Sequence, residues 1–263
     1  MFVLLSDQAS VRDLVRSLMT YGLDVRVTVG EDFGYPEERF TSGTPAEIAE
    51  REFGGLCAAL IENPSPDTKM PVGIPDGDFI RGDAPMTKSE VRSLSVAKLG
   101  LTDASVVYDI GAGTGSVSVE TARCAVNGMV YAVEKEDAAA DLIEKNKIRF
   151  GTDNITVVRG TAPEALEDLP APTHAFIGGS SGNLGAIIGC ITGKNPRTRI
   201  VITSVTLETL GEVTSVADRF GLDEEETLCV NISKAKRAGR YHLMTAQNPV
   251  YITVLTSGKR RES

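Results

Sequence analysis

Along this chain, short continuous apolar runs take turns with runs whose apolar residues recur every three or four positions, so strands and helices are expected in succession. The clearest run is Val106 to Ile110, a buried strand that empties into Gly111-Ala112-Gly113-Thr114-Gly115 and then a helix over 117–126, stopped at Asn127-Gly128. The pattern repeats with a strand over 129–133 ending at Glu134, a helix over 138–150 closed by Gly151, and a strand over 155–159 that runs into Gly160-Thr161-Ala162-Pro163. A strand over 175–177 meets Gly178-Gly179-Ser180-Ser181-Gly182, one over 199–203 follows, and a helix over 207–220 ends at Gly221. Strands over 227–232 and 250–255 come last, with only a polar loop between them. Upstream, Thr87 and Glu90 read as a T-x-x-E capping box opening a helix that Gly100 closes. The expected fold is α/β: a seven-stranded, Rossmann-like, mostly parallel sheet with an antiparallel edge. Its strand ends fall on one edge, where such sheets bind ligands.

The first 62 residues form a separate group. A strand over 2–5, a helical period at Val11, Leu14, Val15 and Leu18, a strand over 25–29, a glycine-proline-rich turn, a helix over 45–53 and a strand over 57–61 make half a domain. Residues 63–72 hold three prolines and no apolar period, which marks a linker. The domains are therefore expected at 1–62 and 73–257, with a tail at 258–263.

Composition narrows the classes. The 263 residues are 41% hydrophobic and 24% charged, enough for one sizeable core and a smaller neighbour. No apolar run reaches the length of a membrane span, and Phe2-Val3-Leu4-Leu5 lacks the length and basic start of a signal peptide, so a cytoplasmic protein with no membrane partner is expected. The four cysteines are far apart, each in an apolar stretch, and read as reduced core residues; with two histidines, no metal site is expected. A net charge of -9 opposes phosphate, so nucleic acid is disfavoured as a partner unless basic residues cluster.

The glycine loop is where chemistry is expected. Glycines at 111, 113 and 115 free one side of the turn of side chains, so backbone can approach a ligand closely; a ligand-free turn has the same composition. A dinucleotide fingerprint would need its third glycine at 116, which is Ser116. Asp109, two residues before the loop, would repel a pyrophosphate but suits a ligand with an ammonium and a sulfonium, which points to S-adenosylmethionine. Glu134, at the tip of the next strand, is placed to accept both ribose hydroxyls of an adenosine, or is simply the first polar residue after a strand. The small residues from Gly160 to Ala162 leave room for an adenine. Thr87 reads as a helix cap and nothing more.

Two stretches resemble known families. Val27-Thr28-Val29-Gly30-Glu31, Gly34-Tyr35-Pro36-Glu37-Glu38-Arg39 and Ala46-Glu47-Ile48 resemble the C-terminal half of the corrin-ring C5-methyltransferases, of the tetrapyrrole methylase family, without that family's N-terminal half. Phe79-Ile80-Arg81-Gly82-Asp83, Pro85-Met86-Thr87-Lys88, the glycine loop, Ala162-Pro163-Glu164, Phe176-Ile177-Gly178-Gly179-Ser180, Val205-Thr206-Leu207-Glu208-Thr209-Leu210 and Asn248-Pro249-Val250 resemble the decarboxylating precorrin C15-methyltransferases over 73–257. That resemblance implies C15-methylation and C12-acetate decarboxylation of precorrin-6B or its cobalt form, with S-adenosylmethionine held by Thr87, Gly111 to Gly115, Glu134 and Ala162. It also implies a homo-oligomer, with a tetramer as the form the family suggests. Thr161 and His174 depart from it, standing where many members carry acids.

A corrin precursor is rich in carboxylates, so an acidic protein needs local cations to hold it. Lys234, Lys236, Arg237, Arg240 and His242 fall between the last two strands, and Arg81 and Lys88 flank the opening of the larger domain. Arginine pairs carboxylates bidentately, which makes Arg81, Lys88, Arg237 and Arg240 the expected substrate contacts, against the alternative of a solvated basic loop. A tRNA or protein methyltransferase on the same fold, or a non-catalytic cofactor-binding subunit, are the competing readings.

Overall fold

The computed structural model describes residues 1–66 and 71–257, so part of the expected linker and the whole expected tail lie outside the described residues. The chain divides into two compact units, Met1–Lys69 and Met70–Ser263.

The first unit comprises β1 (Phe2–Leu5), α1 (Gln8–Thr20), β2 (Arg26–Glu31), β3 (Arg39–Gly43), α2 (Pro45–Ala49) and β4 (Cys57–Glu62). Its sheet runs β1-β4-β2-β3 with every pairing antiparallel. Asp7 caps α1 by accepting from the Ser10 N–H, and the helix buries Val11, Val15 and Leu18 against Val27, Val29, Ile48 and Ile61. Thr44 and Glu47 form a reciprocal capping box at α2. The fourth strand, β3, occupies what reads in sequence as a turn. Its residues are mostly polar because an edge strand gains its backbone bonds without burying side chains, and Arg39 pairs with the buried Glu31 across it at 2.8 Å. The expected helix over 45–53 ends at Ala49, and the Phe53 N–H turns instead to the Gln8 side chain.

The second unit begins with α3 (Ser89–Leu99), β5 (Val106–Ile110), α4 (Ser116–Cys124), β6 (Met129–Glu134), α5 (Asp137–Phe150), β7 (Ile155–Arg159) and β8 (His174–Ile177). It continues through α6 (Leu184–Lys194), β9 (Arg199–Ser204), α7 (Leu207–Phe220), β10 (Leu222–Val230), β11 (Ser233–Ala238), β12 (Tyr241–Ala246) and β13 (Val250–Ser257). The main sheet has the order β10-β13-β9-β8-β5-β6-β7, parallel from β7 to β9 and antiparallel where β13 enters between β9 and β10. Strand residues send alternate side chains to the two faces. Tyr108, Ile110, Ile200 and Ile202 meet Ile187, Ile188, Val213 and Val216 of α6 and α7. On the other face, Val107, Val130 and Ala132 meet Val119 and Ile143, of α4 and α5, while Val201 and Ile252 meet Val91 and Leu99 of α3.

Five features differ from the sequence expectation. No element is expected between Gly182 and Arg199, yet α6 forms there. Its buried Leu184, Ile187, Ile188 and Ile191 have helical spacing, but Gly185, Gly189 and Gly193 dilute the helical signal. The loop expected between the last strands is a hairpin, β11–β12, exposed along its whole length, so no burial pattern marks it in the sequence. β10 starts at Leu222, before the apolar run, with a bulge between Glu224 and Glu226. The capping box at Thr87 does not form: Lys88 is the N-cap, the Asp76 carboxylate accepts from the Ser89 N–H at 2.9 Å, and Glu90 pairs with Lys234 at 2.6 Å. Of the four cysteines, all free, Cys57 is buried, Cys124 and Cys190 are half-buried and Cys229 is exposed, not a core residue.

The turn from α4 into β6 leaves no space for a side chain. A Cβ on Gly128 would lie 2.0 Å from the Ser105 carbonyl oxygen. Gly128→Ala is expected to destabilise the chain by about 1–3 kcal/mol, the usual range for overpacking. Chemical denaturation measures it, and an unchanged midpoint would show that this turn yields freely.

Candidate cofactor site

β5, β6, β7 and β8 end on one side of the sheet, and the segments leaving them enclose a cavity of about 280 Å³. This is just below the usual range for ligand sites, about 300–1,000 Å³. Its floor is Ile110, Gly111, Gly113 and Val133; Glu134, Lys135 and Glu136 form one side, Gly160, Thr161 and Ala162 another, and Gly178 to Ser181 with Ile187 the third. Pro85, from the segment before α3, closes the rim.

The loop is shaped by backbone bonds. Gly111 and Ala112 both donate to the Val133 carbonyl, at 3.0 and 3.2 Å, and Gly115 closes a turn onto Ala112. The three glycines have φ of 72°, 58° and 75°. What a side chain there would meet differs from the sequence expectation. A Cβ on Gly111 would lie 2.9 Å from the backbone of Gly179, one on Gly113 2.4 Å from the Pro85 carbonyl oxygen, and one on Gly115 2.9 Å from Ile143. These glycines let protein segments close on the loop. They do not simply clear ligand space.

Glu134 is buried, and both of its carboxylate oxygens are held by backbone: Oε2 accepts from the Gly113 N–H at 2.9 Å and Oε1 from the Glu136 N–H at 3.0 Å. Each oxygen keeps a further lone pair for a ligand hydroxyl. Asp109 lies beneath the loop and does not line the cavity. Its Oδ2 accepts from the Ser118 hydroxyl, while Oδ1 is buried without a partner. Burial pushes its carboxyl up to about 7; the Ser118 bonds oppose this and the nearby charge of Glu134 adds to it. The acidic oxygens of Glu134 and Glu136 in the lining, with Asp109 beneath the loop, favour a ligand that carries cations over a pyrophosphate, so these residues fit the ammonium and sulfonium of S-adenosylmethionine.

Of the expected cofactor residues, Gly111, Gly113, Glu134, Gly160 and Ala162 line the cavity. Thr87, Asp109, Ala112, Thr114 and Gly115 do not. Thr87 is half-buried, and its carbonyl accepts from Arg92 Nη1 at 2.7 Å. Ala112 and Thr114 are buried within the loop. None of the expected substrate residues lines the cavity. Arg81 is exposed and Lys88 half-buried before α3. Arg237 donates to the Gly239 carbonyl, and Arg240 stacks over Tyr241. The basic loop also proves to be split. In the β11–β12 register Lys234 and Lys236 share one face with Leu243, whereas Arg237 lies on the other with His242 and Met244.

The sequence reading missed Arg92, which is fully buried on α3. Its Nε meets Glu120 at 2.7 Å, Nη1 meets Asp76 at 3.2 Å, Nη2 donates to the Ile74 carbonyl, and the guanidinium lies 4.8 Å from the centre of the Phe79 ring. It therefore ties residues 74–87, which form a strap ahead of α3, to the body of the sheet. Its spacing, four residues before Val96 and seven before Leu99 on the apolar face of the helix, was the available signal.

The sheet order, with its antiparallel strand inserted second from one edge, and the cavity at the glycine loop define the S-adenosylmethionine-dependent methyltransferase fold. The family described as the precorrin methyltransferase domain matches residues 78–257. A Pyrobaculum calidifontis protein named probable cobalt-precorrin-6B C(15)-methyltransferase (decarboxylating) is 44% identical over 183 residues, 68% of this chain and 93% of its own. Among solved structures, precorrin-6y C5,15-methyltransferase from Geobacter metallireducens superposes with a TM-score of 0.68 at 37% identity, covering 72% of this chain and 99% of that one. Precorrin 8W decarboxylase from Methanobacterium thermoautotrophicum gives 0.65 at 34% identity, covering 69% and 98%. The chain belongs to the precorrin methyltransferase family.

The raised Asp109 carboxyl has a consequence for stability. Its proton is held more tightly in the folded chain than in the unfolded one, so its contribution is fully present below about pH 4 and is lost as pH rises to about 7. Asp109→Asn should therefore gain on the parent chain across that window, by a few kcal/mol at most, and hold a constant difference above it. Urea denaturation at successive pH values measures this. A difference independent of pH would mean that Asp109 is ionised throughout.

Proposed function

We propose that this chain methylates C15 of precorrin-6B or its cobalt form and decarboxylates the C12 acetate, using S-adenosylmethionine. The observation that carries the reading is the cavity at the strand ends, where Glu134 stands beside the glycine loop in a chain of the precorrin methyltransferase family. S-adenosylmethionine bound there supplies a methyl group already activated for transfer. Glu134 accepts the ribose hydroxyls through its free lone pairs, and Gly160 and Ala162 flank the adenine. Asp109, under the loop, favours the positive charge of the ligand. The segments around Pro85 and Ser180 align the ring carbon and exclude water. No protein nucleophile is required, because the conjugated macrocycle can take the electrons released with carbon dioxide.

The proposal extends to substrate and assembly. Arg81, Lys88, Arg237 and Arg240 attract the carboxylates of the corrinoid. The hairpin is held to the first turn of α3 by Lys234 and Glu90, next to the Pro85–Lys88 segment, which supports a role for it near the cavity rim. Tyr241, Leu243 and Met244 are 59–66% exposed on the same hairpin and suit coverage by a second copy of the chain, so the working form is a cytoplasmic homo-oligomer. Residues 1–62 are the C-terminal half of a C5-methyltransferase-type domain, in keeping with the paired C5,15 activity in the name of the Geobacter protein.

Incubation with the purified corrin intermediate and S-adenosylmethionine should yield a product that has gained a methyl group and lost carbon dioxide, by mass analysis; an unmodified intermediate would reject the reading. Charge-assisted hydrogen bonds are worth about 1.5–3 kcal/mol, so Glu134→Ala should weaken cofactor binding by roughly one to three orders of magnitude. Unchanged affinity by calorimetry would remove Glu134 from the site. Replacing Arg237 and Arg240 together by Gln should raise the corrinoid KM and flatten its salt dependence, with cofactor affinity intact. An unchanged KM at low salt would take the hairpin out of substrate binding.

A further inference from the structure

The strap over residues 74–87 carries Pro85, the rim of the cavity, so whatever fixes the strap also fixes the width of the site. Two buried polar side chains hold it on either side of Pro85. Beyond Arg92, the second is Asn146 on α5, which is fully buried. Its Oδ1 accepts from the Ile80 N–H at 2.8 Å, and its Nδ2 donates to the Ile80 carbonyl at 3.0 Å. To Ile80 it thus offers the two bonds that a neighbouring strand would. The second Nδ2 proton goes to the carbonyl of Thr114, in the glycine loop, at 2.9 Å.

One amide therefore joins strap and loop, and its helix supports both. On the same turn of α5, Ile143 packs beneath Gly115, and Leu142 lies where a Cβ on Gly82 would meet it at 3.3 Å. The far side of Pro85 is held through Thr87, whose carbonyl is bound by Arg92. Between these anchors the Pro85 carbonyl sits where a Cβ on Gly113 would reach.

We infer that Asn146, acting with Arg92, is a positioning residue that locks the strap to the glycine loop and thereby sets the fit of the cavity around its cofactor. Asn146 has no direct contact with the cavity, and its effect passes through Thr114 and Ile80. Buried polar groups that are fully partnered specify a single arrangement of the elements they join. The binding arm of the test rests on the proposed cofactor, and the exchange arm does not.

The test uses the full chain. Asn146→Ala is expected to weaken S-adenosylmethionine binding about tenfold or more by calorimetry. It should also speed amide hydrogen exchange in residues 74–88 and 111–116 together. Arg92→Lys, which keeps the charge but loses the fork, should speed exchange in the strap alone. Val216→Ala, on the buried face of α7, is the control for general destabilisation, and its cofactor affinity should match the parent. Asn146→Ser, which buries no charge and is too short to bridge Ile80 and Thr114, serves if the alanine variant does not fold. If an Asn146 variant binds as tightly as the Val216 control, or the strap loosens while the loop stays protected, the coupling is overturned. A parent chain that fails to bind S-adenosylmethionine would reject the proposed function, leaving the exchange measurement to decide the clamp.

Discussion

Backbone packed against backbone is the constraint on which this site rests. At the glycine loop the backbones of the strap and of the turn after β8 converge with the Ile143 side chain of α5, at distances that exclude any added side chain. The loop can be so tightly enclosed because its own N–H groups are already spoken for. Gly111 and Ala112 donate to β6, and Gly113 donates to Glu134. A carboxylate that closes the loop is thereby fixed in place before a ligand arrives, so binding need not order it.

The electrostatic design is local where the composition is global. The chain carries a formal net charge of -9, yet its exposed hairpin presents Lys234, Lys236, Arg237 and Arg240. Buried charge follows a different rule. Arg92 is withdrawn from water beside Glu120, and each nitrogen of its guanidinium finds an oxygen. Removing one partner of such a pair leaves an unsatisfied charge, at a typical cost of about 3–5 kcal/mol.

Much of the sheet was legible because burial on both faces makes strands such as Val106–Ile110 continuous apolar runs, and because glycine marks where they end. The cavity residues Gly111, Gly113, Glu134 and Ala162 were legible for the same reason: they stand at strand ends. What escaped was set by contacts distant in sequence. Thr87 has good capping chemistry, but Asp76 arrives to satisfy Ser89 and Lys234 takes Glu90 away. Arg92 and Asn146 are polar types normally assigned to the surface, and only the strap lying over them makes their burial favourable. The hairpin has no inward face, so no period of two in hydrophobicity could disclose it.

The walls of the cavity are unequal in how much change they can absorb. On the glycine-loop side a Cβ on Gly111 or Gly113 collides with backbone, whereas one built onto Gly179 would meet nothing within 4 Å. Variation in ligand size is therefore accommodated from one direction. A cofactor analogue with a bulkier group would have to be admitted by redesigning the segment after β8, leaving the loop, the strap and α5 as a fixed mould.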